Sequence, residues 1–84
     1  MKDIIRLLLK QKMERTTYFV DVLLPLPLPG FFTYRIPHEF NDCLAFGIRV
    51  VVPFGKNKLY SGIIIKVHTD APTKLNVKYI LEVI

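Results

Sequence analysis

Residues 16–24, TTYFVDVLL, are rich in β-branched and aromatic side chains, a pattern that predicts a strand. Pro25, Pro27 and Pro29 follow on alternate positions. Proline fixes φ and lacks a backbone donor, so this run cannot extend a central ladder and stiffens the strand's exit. Residues 31–36 predict a second, short strand that Pro37 stops. Residues 38–46 open on the mostly polar HEFND and predict a loop. Gly47 turns the chain into a third strand, 48–54, and 55–58 form a turn. Residues 59–68 predict a long strand in which Gly62 marks a bulge or a close approach of backbone. A polar connection with Pro72 spans 69–74, and 77–83 predict a last strand. Residues 3–14 have the pattern of a short amphipathic helix, which is weak alone in water.

Five strands with no strong helix between them predict a mainly β fold. The expected form is a small, partly closed antiparallel barrel (OB-like) of five to six short strands, with a short N-terminal helix. The expected organisation is an N-terminal extension or marginal helix over 1–15 and a single domain over 16–84. The chain stops at Ile84, inside or just after a strand, and is read as a piece of a longer protein.

Composition narrows the chemistry. With 84 residues and 51% hydrophobic content the chain suits one small globular domain. A single cysteine, Cys43, excludes an internal disulfide and a cysteine-rich zinc site, and fits a reducing cytoplasm. The apolar run IIRLLL near the start is too short and too interrupted to span a membrane, and no small-residue cleavage site follows it. The net charge is +5, but residues 1–12 carry four of the twelve basic residues against Asp3 alone. The remainder is only mildly basic. That is little charge for non-specific binding along a long phosphate backbone, and enough for a pocket that takes one strand end.

Two stretches stand out, LPLPLPGFFTYRIP over 24–37 and VVVPFGKNK over 50–58. Both are rigid turns that carry aromatic faces, and the second adds cations, a combination suited to gripping a single nucleotide or a chain end. No paired carboxylates, nucleophile–base set or metal cluster is visible, so an independent enzyme is the weakest reading. His38 and His68 stand apart and are read as structural or solvent-facing. Asp21 is an odd guest in a strand; an edge position or a partner in Arg35 or Arg49 would account for it.

The order of these motifs, followed by GIRVVVPFGKNKLYSGIIIKV and VKYILEV, resembles the amino-terminal domain family of the bacterial replication-restart helicase PriA, also called primosomal protein N′. The resemblance covers about residues 18–84. It implies a module that binds the 3′ end of a nascent strand at a stalled replication fork and so positions the helicase for primosome assembly. The family's pocket maps onto Phe32, Thr33 and Tyr34, onto Gly55 in the second turn, and onto Lys78 in the last strand. At Thr33 many members carry an aspartate, so this chain offers a neutral acceptor there. Lys56 and Lys58 are candidate phosphate contacts beside Gly55; their plain reading is solvated turn residues. Phe32 and Tyr34 share one strand face, and core packing is the plain reading of both. Thr33 points the other way, so all three reach one pocket only at a bend.

The same resemblance implies no cofactor in this segment; ATP and zinc belong to the remainder of such a helicase. Implied partners are a DNA 3′ end, the rest of the helicase, and primosome and single-strand-binding proteins, with no membrane. The alternative is a protein-interaction barrel that uses the proline ridge and exposed aromatics to dock another domain.

Overall fold

The computed structural model describes residues 4–5, 16–73 and 77–84. Its strands are β1 (Phe19–Leu23), β2 (Phe32–Arg35), β3 (Arg49–Pro53), β4 (Leu59–His68) and β5 (Glu82–Val83). They form one antiparallel sheet in the order β2-β1-β4-β3-β5. The fold is therefore mainly β, as the pattern of short apolar runs predicts. Of the expected N-terminal helix only Ile4 and Ile5 are described, helical and exposed; the rest of 1–15 lies outside the described residues.

Segment 77–84 brings the two sides of the sheet together. Near its start, Arg35 N–H donates to Lys78 O at 2.9 Å, and Ile80 N–H donates to Arg35 O at 3.0 Å. Farther on, Leu81 N–H reaches Val51 O at 2.8 Å and Ile84 N–H reaches Arg49 O at 3.0 Å. One stretch thus serves β2 first and β3 afterwards, an arrangement compatible with a partly closed OB-like barrel. This crossing also explains why β5 is only two residues long where a strand over 77–83 was expected. The chain leaves one partner to join the other, so no long ladder forms with either.

Strand alternation builds the core. Val20, Val22 and Leu24 point inward from the first strand and its exit. Tyr34 and Ile36, Val50 and Val52, Ile64 and Ile80 meet them, all buried. Gly62 lies directly beneath this cluster. A Cβ there would fall inside contact distance of Val22 Cγ1 and stand 2.9 Å from Leu24 Cδ2. Close approach is thus the reason for Gly62. The bulge lies further along β4, between the Asp21↔Lys66 and Val22↔Ile64 pairs, leaving Ile65 unmatched. The extra residue lets Ile64 and Val67, three positions apart, both pack on the core.

The stretch expected as a loop over 38–46 begins instead with a 3-10 helix, His38–Cys43. Pro37, at φ −59°, leads into it, and Phe40 N–H donates to Pro37 O at 2.9 Å. Asn41 Nδ2 donates to Thr16 O at 3.0 Å, and Thr17 Oγ1 and His38 Nε2 share a hydrogen bond of 3.2 Å. The polar residues that suggested a loop fasten this helix to the lead of β1.

Candidate nucleic-acid interface

The free edge of β2 lies beside segment 77–78, just before the Arg35–Tyr79 bridge closes the seam. A cavity of about 550 Å³ occupies this place. Phe31, Phe32, Thr33 and Tyr34 line it from β2 and its approach, Pro53, Phe54 and Gly55 from the end of β3, and Pro72, Thr73, Val77 and Lys78 from the last connection. Four consecutive residues of a strand cannot all face one way. They share this cavity because it runs along the strand's edge, so no bend is required, and β2 pairs with β1 in regular register throughout.

Each wall has a distinct chemistry. Phe32 meets Phe54 edge-on, with ring centroids 4.7 Å apart at 67°, and Phe54 meets Tyr60 in the same manner at 6.2 Å. These contacts fix an aromatic flank. Tyr34 belongs to the core, and its hydroxyl donates to Pro53 O at 2.8 Å, tying β2 to the end of β3. Burial raises the Tyr34 phenol above its usual value. Gly55 has a φ of +71° and open space where a Cβ would stand. Backbone conformation, not crowding, selects glycine there, and the bare backbone leaves the cavity wall open. Lys78 is exposed, with its backbone carbonyl fixed in the seam.

Thr33 is held from behind. Its hydroxyl donates to Asp21 Oδ1 at 2.8 Å, and His68 Nε2 lies 3.0 Å from the same oxygen. His68 Nδ1 accepts from Asp70 N–H at 3.2 Å, so Nε2 bears the proton that goes to Asp21. Asp21 is therefore neither at an edge nor paired with an arginine. It is buried on an interior strand and satisfied by Thr33 and His68. With its one proton committed, Thr33 Oγ1 has only lone pairs left to offer.

Phe32, Thr33, Tyr34, Gly55 and Lys78, drawn from three distant parts of the sequence, thus line one cavity. Lys56 and Lys58 line a neighbouring hollow of about 480 Å³ with Leu26, Pro27, Leu28 and Tyr60. The two hollows share Phe54 and Gly55. Phe54 is the residue that sequence reasoning passed over. Its position in the Pro53-Phe54-Gly55 turn was a signal, but its partner Phe32 is fixed only by the fold.

Among the described residues no group of histidine, cysteine and acidic side chains could hold a metal, and no helix is long and apolar enough to cross a membrane. Residues 21–84 match the family profile of PriA_3primeBD, described as the 3′DNA-binding domain (3′BD). Comparison with curated proteins gives no match.

Proposed function

Because this chain belongs to the family of PriA 3′-DNA-binding domains, we propose that its seam cavity captures the 3′-terminal nucleotide of a nascent DNA strand at a stalled fork. The observation that carries this reading is the convergence of an aromatic flank, an acceptor hydroxyl and a cation on one cavity of about 550 Å³. A volume in that range suits a small ligand and is too confined for a duplex.

In this reading the terminal base lies against Phe32 and Phe54, and stacking on such a platform contributes about 1–3 kcal/mol. Thr33 Oγ1 accepts from a donor on the terminal nucleotide, either the free 3′-hydroxyl or a base N–H. Backbone near Gly55 approaches the sugar, and Lys78 neutralises the adjacent phosphate. Lys56 and Lys58 meet phosphates farther along the strand, in the hollow beyond Gly55. Only one nucleotide is read, so sequence preference is small. The module itself performs no catalysis. It would position a replication-restart helicase, with the rest of that helicase, primosome proteins and single-strand-binding protein as partners.

The test is fluorescence anisotropy of the full chain with short single strands ending in a 3′-hydroxyl or a 3′-phosphate. The expected result is tighter binding of the free hydroxyl. Equal binding would reduce the domain to a general strand holder. Absence of binding to either would favour a protein-docking role.

A further inference from the structure

On the far side of the Arg35–Tyr79 bridge lies a smaller cavity of about 260 Å³, lined by Thr17, Arg35, Ile36, Pro37, His38 and Tyr79. Arg35 is held there by its backbone and by two aromatic rings. Its N–H and C=O form the seam hydrogen bonds. Its guanidinium carbon lies 5.5 Å from the Phe19 ring centre and 5.6 Å from that of Tyr79. A guanidinium held against aromatic rings keeps N–H groups available to donate. Arg35 Nε is buried and has no hydrogen-bond partner among the described residues. Buried polar groups left in this condition call for an explanation, and an ion is one of the ordinary ones.

The surroundings favour an anion. Among the described residues that line the cavity there is no carboxylate, whereas there are a hydroxyl, an imidazole and a phenol. The nearest acid on the same sheet face, Asp21, is two residues along β1 and is engaged by Thr33 and His68. Among the described residues Arg35 has no carboxylate partner. The volume is below the roughly 300 Å³ at which small-molecule pockets begin, so it fits a compact group rather than a base with its sugar.

We propose that Arg35 forms a second phosphate site, which binds a phosphodiester of the same DNA strand whose 3′-terminal nucleotide occupies the seam cavity. The inference rests on the function proposed above. The location supports the pairing of sites. Tyr34 and Lys78 line the nucleotide cavity while the next residues, Arg35 and Tyr79, line this one. The two linings are therefore adjacent along the chain on each side of the seam. A guanidinium fork binds phosphate oxygens in pairs, a geometry that a lysine at the same place could not reproduce.

The experiment uses the full chain and short single strands with a free 3′-hydroxyl, each carrying one neutral methylphosphonate linkage at a successive position. For the native protein, one linkage should stand out, its neutralisation weakening binding about three- to tenfold. In Arg35→Met that penalty should vanish and the salt slope should fall by about 0.7. Preference for a 3′-hydroxyl over a 3′-phosphate should survive in the variant. An unchanged slope with the penalty intact would overturn the Arg35 site while leaving end capture standing. Loss of end preference in the native protein would instead overturn the function beneath it. Should Arg35→Met not fold, the Arg35 Nε–H resonance of the native protein decides. It should move with the natural strand and stay still with the critical methylphosphonate. A response to inorganic phosphate but not to the strand would overturn the DNA assignment.

Discussion

Thr33 and Asp21 stand directly opposite each other on β2 and β1, and the threonine hydroxyl donates to the aspartate at 2.8 Å. Thr33 itself carries no carboxylate, and one stands opposite it on the neighbouring strand. There it is buried and also bonded by His68. Thr33 is thereby the polar surface of a three-residue network rather than an isolated hydroxyl.

Asp21→Ala should therefore destabilise the fold although Asp21 is not among the cavity's lining residues. The change strands a hydroxyl and an imidazole N–H, and such orphaned groups cost about 1–3 kcal/mol. Urea denaturation should show the loss at neutral pH. A variant as stable as the parent would mean that the network contributes nothing.

Thr33→Asp sets a second carboxylate opposite Asp21. Like charges directly opposite are destabilising by up to about 1 kcal/mol. Repulsion raises the folded-state value of one carboxyl above its unfolded value. The deficit is thus full at neutral pH and shrinks as the pH falls through that raised value. Thermal melts across an acid series should show the variant gaining on the parent. A constant gap would indicate that the two carboxyls do not interact.

The Tyr34 phenol is raised by burial above its ordinary 10.0. Its neutral form is favoured in the folded state, so its contribution is fully present below about pH 10 and is lost as pH rises through the folded-state value. Tyr34→Phe should cost about 1 kcal/mol for the bond to Pro53 O. It should also flatten the alkaline fall in stability. Phenolate absorbance of the parent should show a late-titrating component from Tyr34 that is lost in the variant.

Gly62→Ala should be more damaging than any surface change on β4. The added methyl meets Val22 and Leu24 within the core. Overpacking of this kind costs about 1–3 kcal/mol. Gly62→Ala combined with Val22→Ala should recover part of the loss if Val22 is the obstacle. No recovery would place the obstacle at Leu24 or at the Leu23 carbonyl.

For DNA binding, Phe32→Ala and Lys78→Gln should separate stacking from charge. The first should weaken binding by about 1–3 kcal/mol with little change in salt dependence. The second should lower the salt slope by about 0.7. Titrations at several salt concentrations distinguish them, and a steepened slope in either variant would argue against these roles.

The local pattern was enough to place the strands, though not the 3-10 helix over His38–Cys43 or the short extent of β5. Apolar runs rich in β-branched and aromatic residues, bounded by proline and glycine, mark the strands because those signals act over a few residues, and the expected bounds of β4 match the observed ones. The motifs around Phe32, Gly55 and Lys78 were legible because they are short and chemically unusual. Three features were not. Closure of the sheet depends on segment 77–84 changing partners, which only long-range hydrogen bonding decides. The Asp21–Thr33–His68 network needs a register and a bulge that alternation does not specify. Arg35 was legible only as a possible partner of Asp21, and its place against the Phe19 and Tyr79 rings is set by the fold. The sequence determined by itself which residues could form strands and which carried chemistry. Tertiary structure decided which of them meet, because contacts between residues distant along the chain are set by packing and pairing, not by local preference.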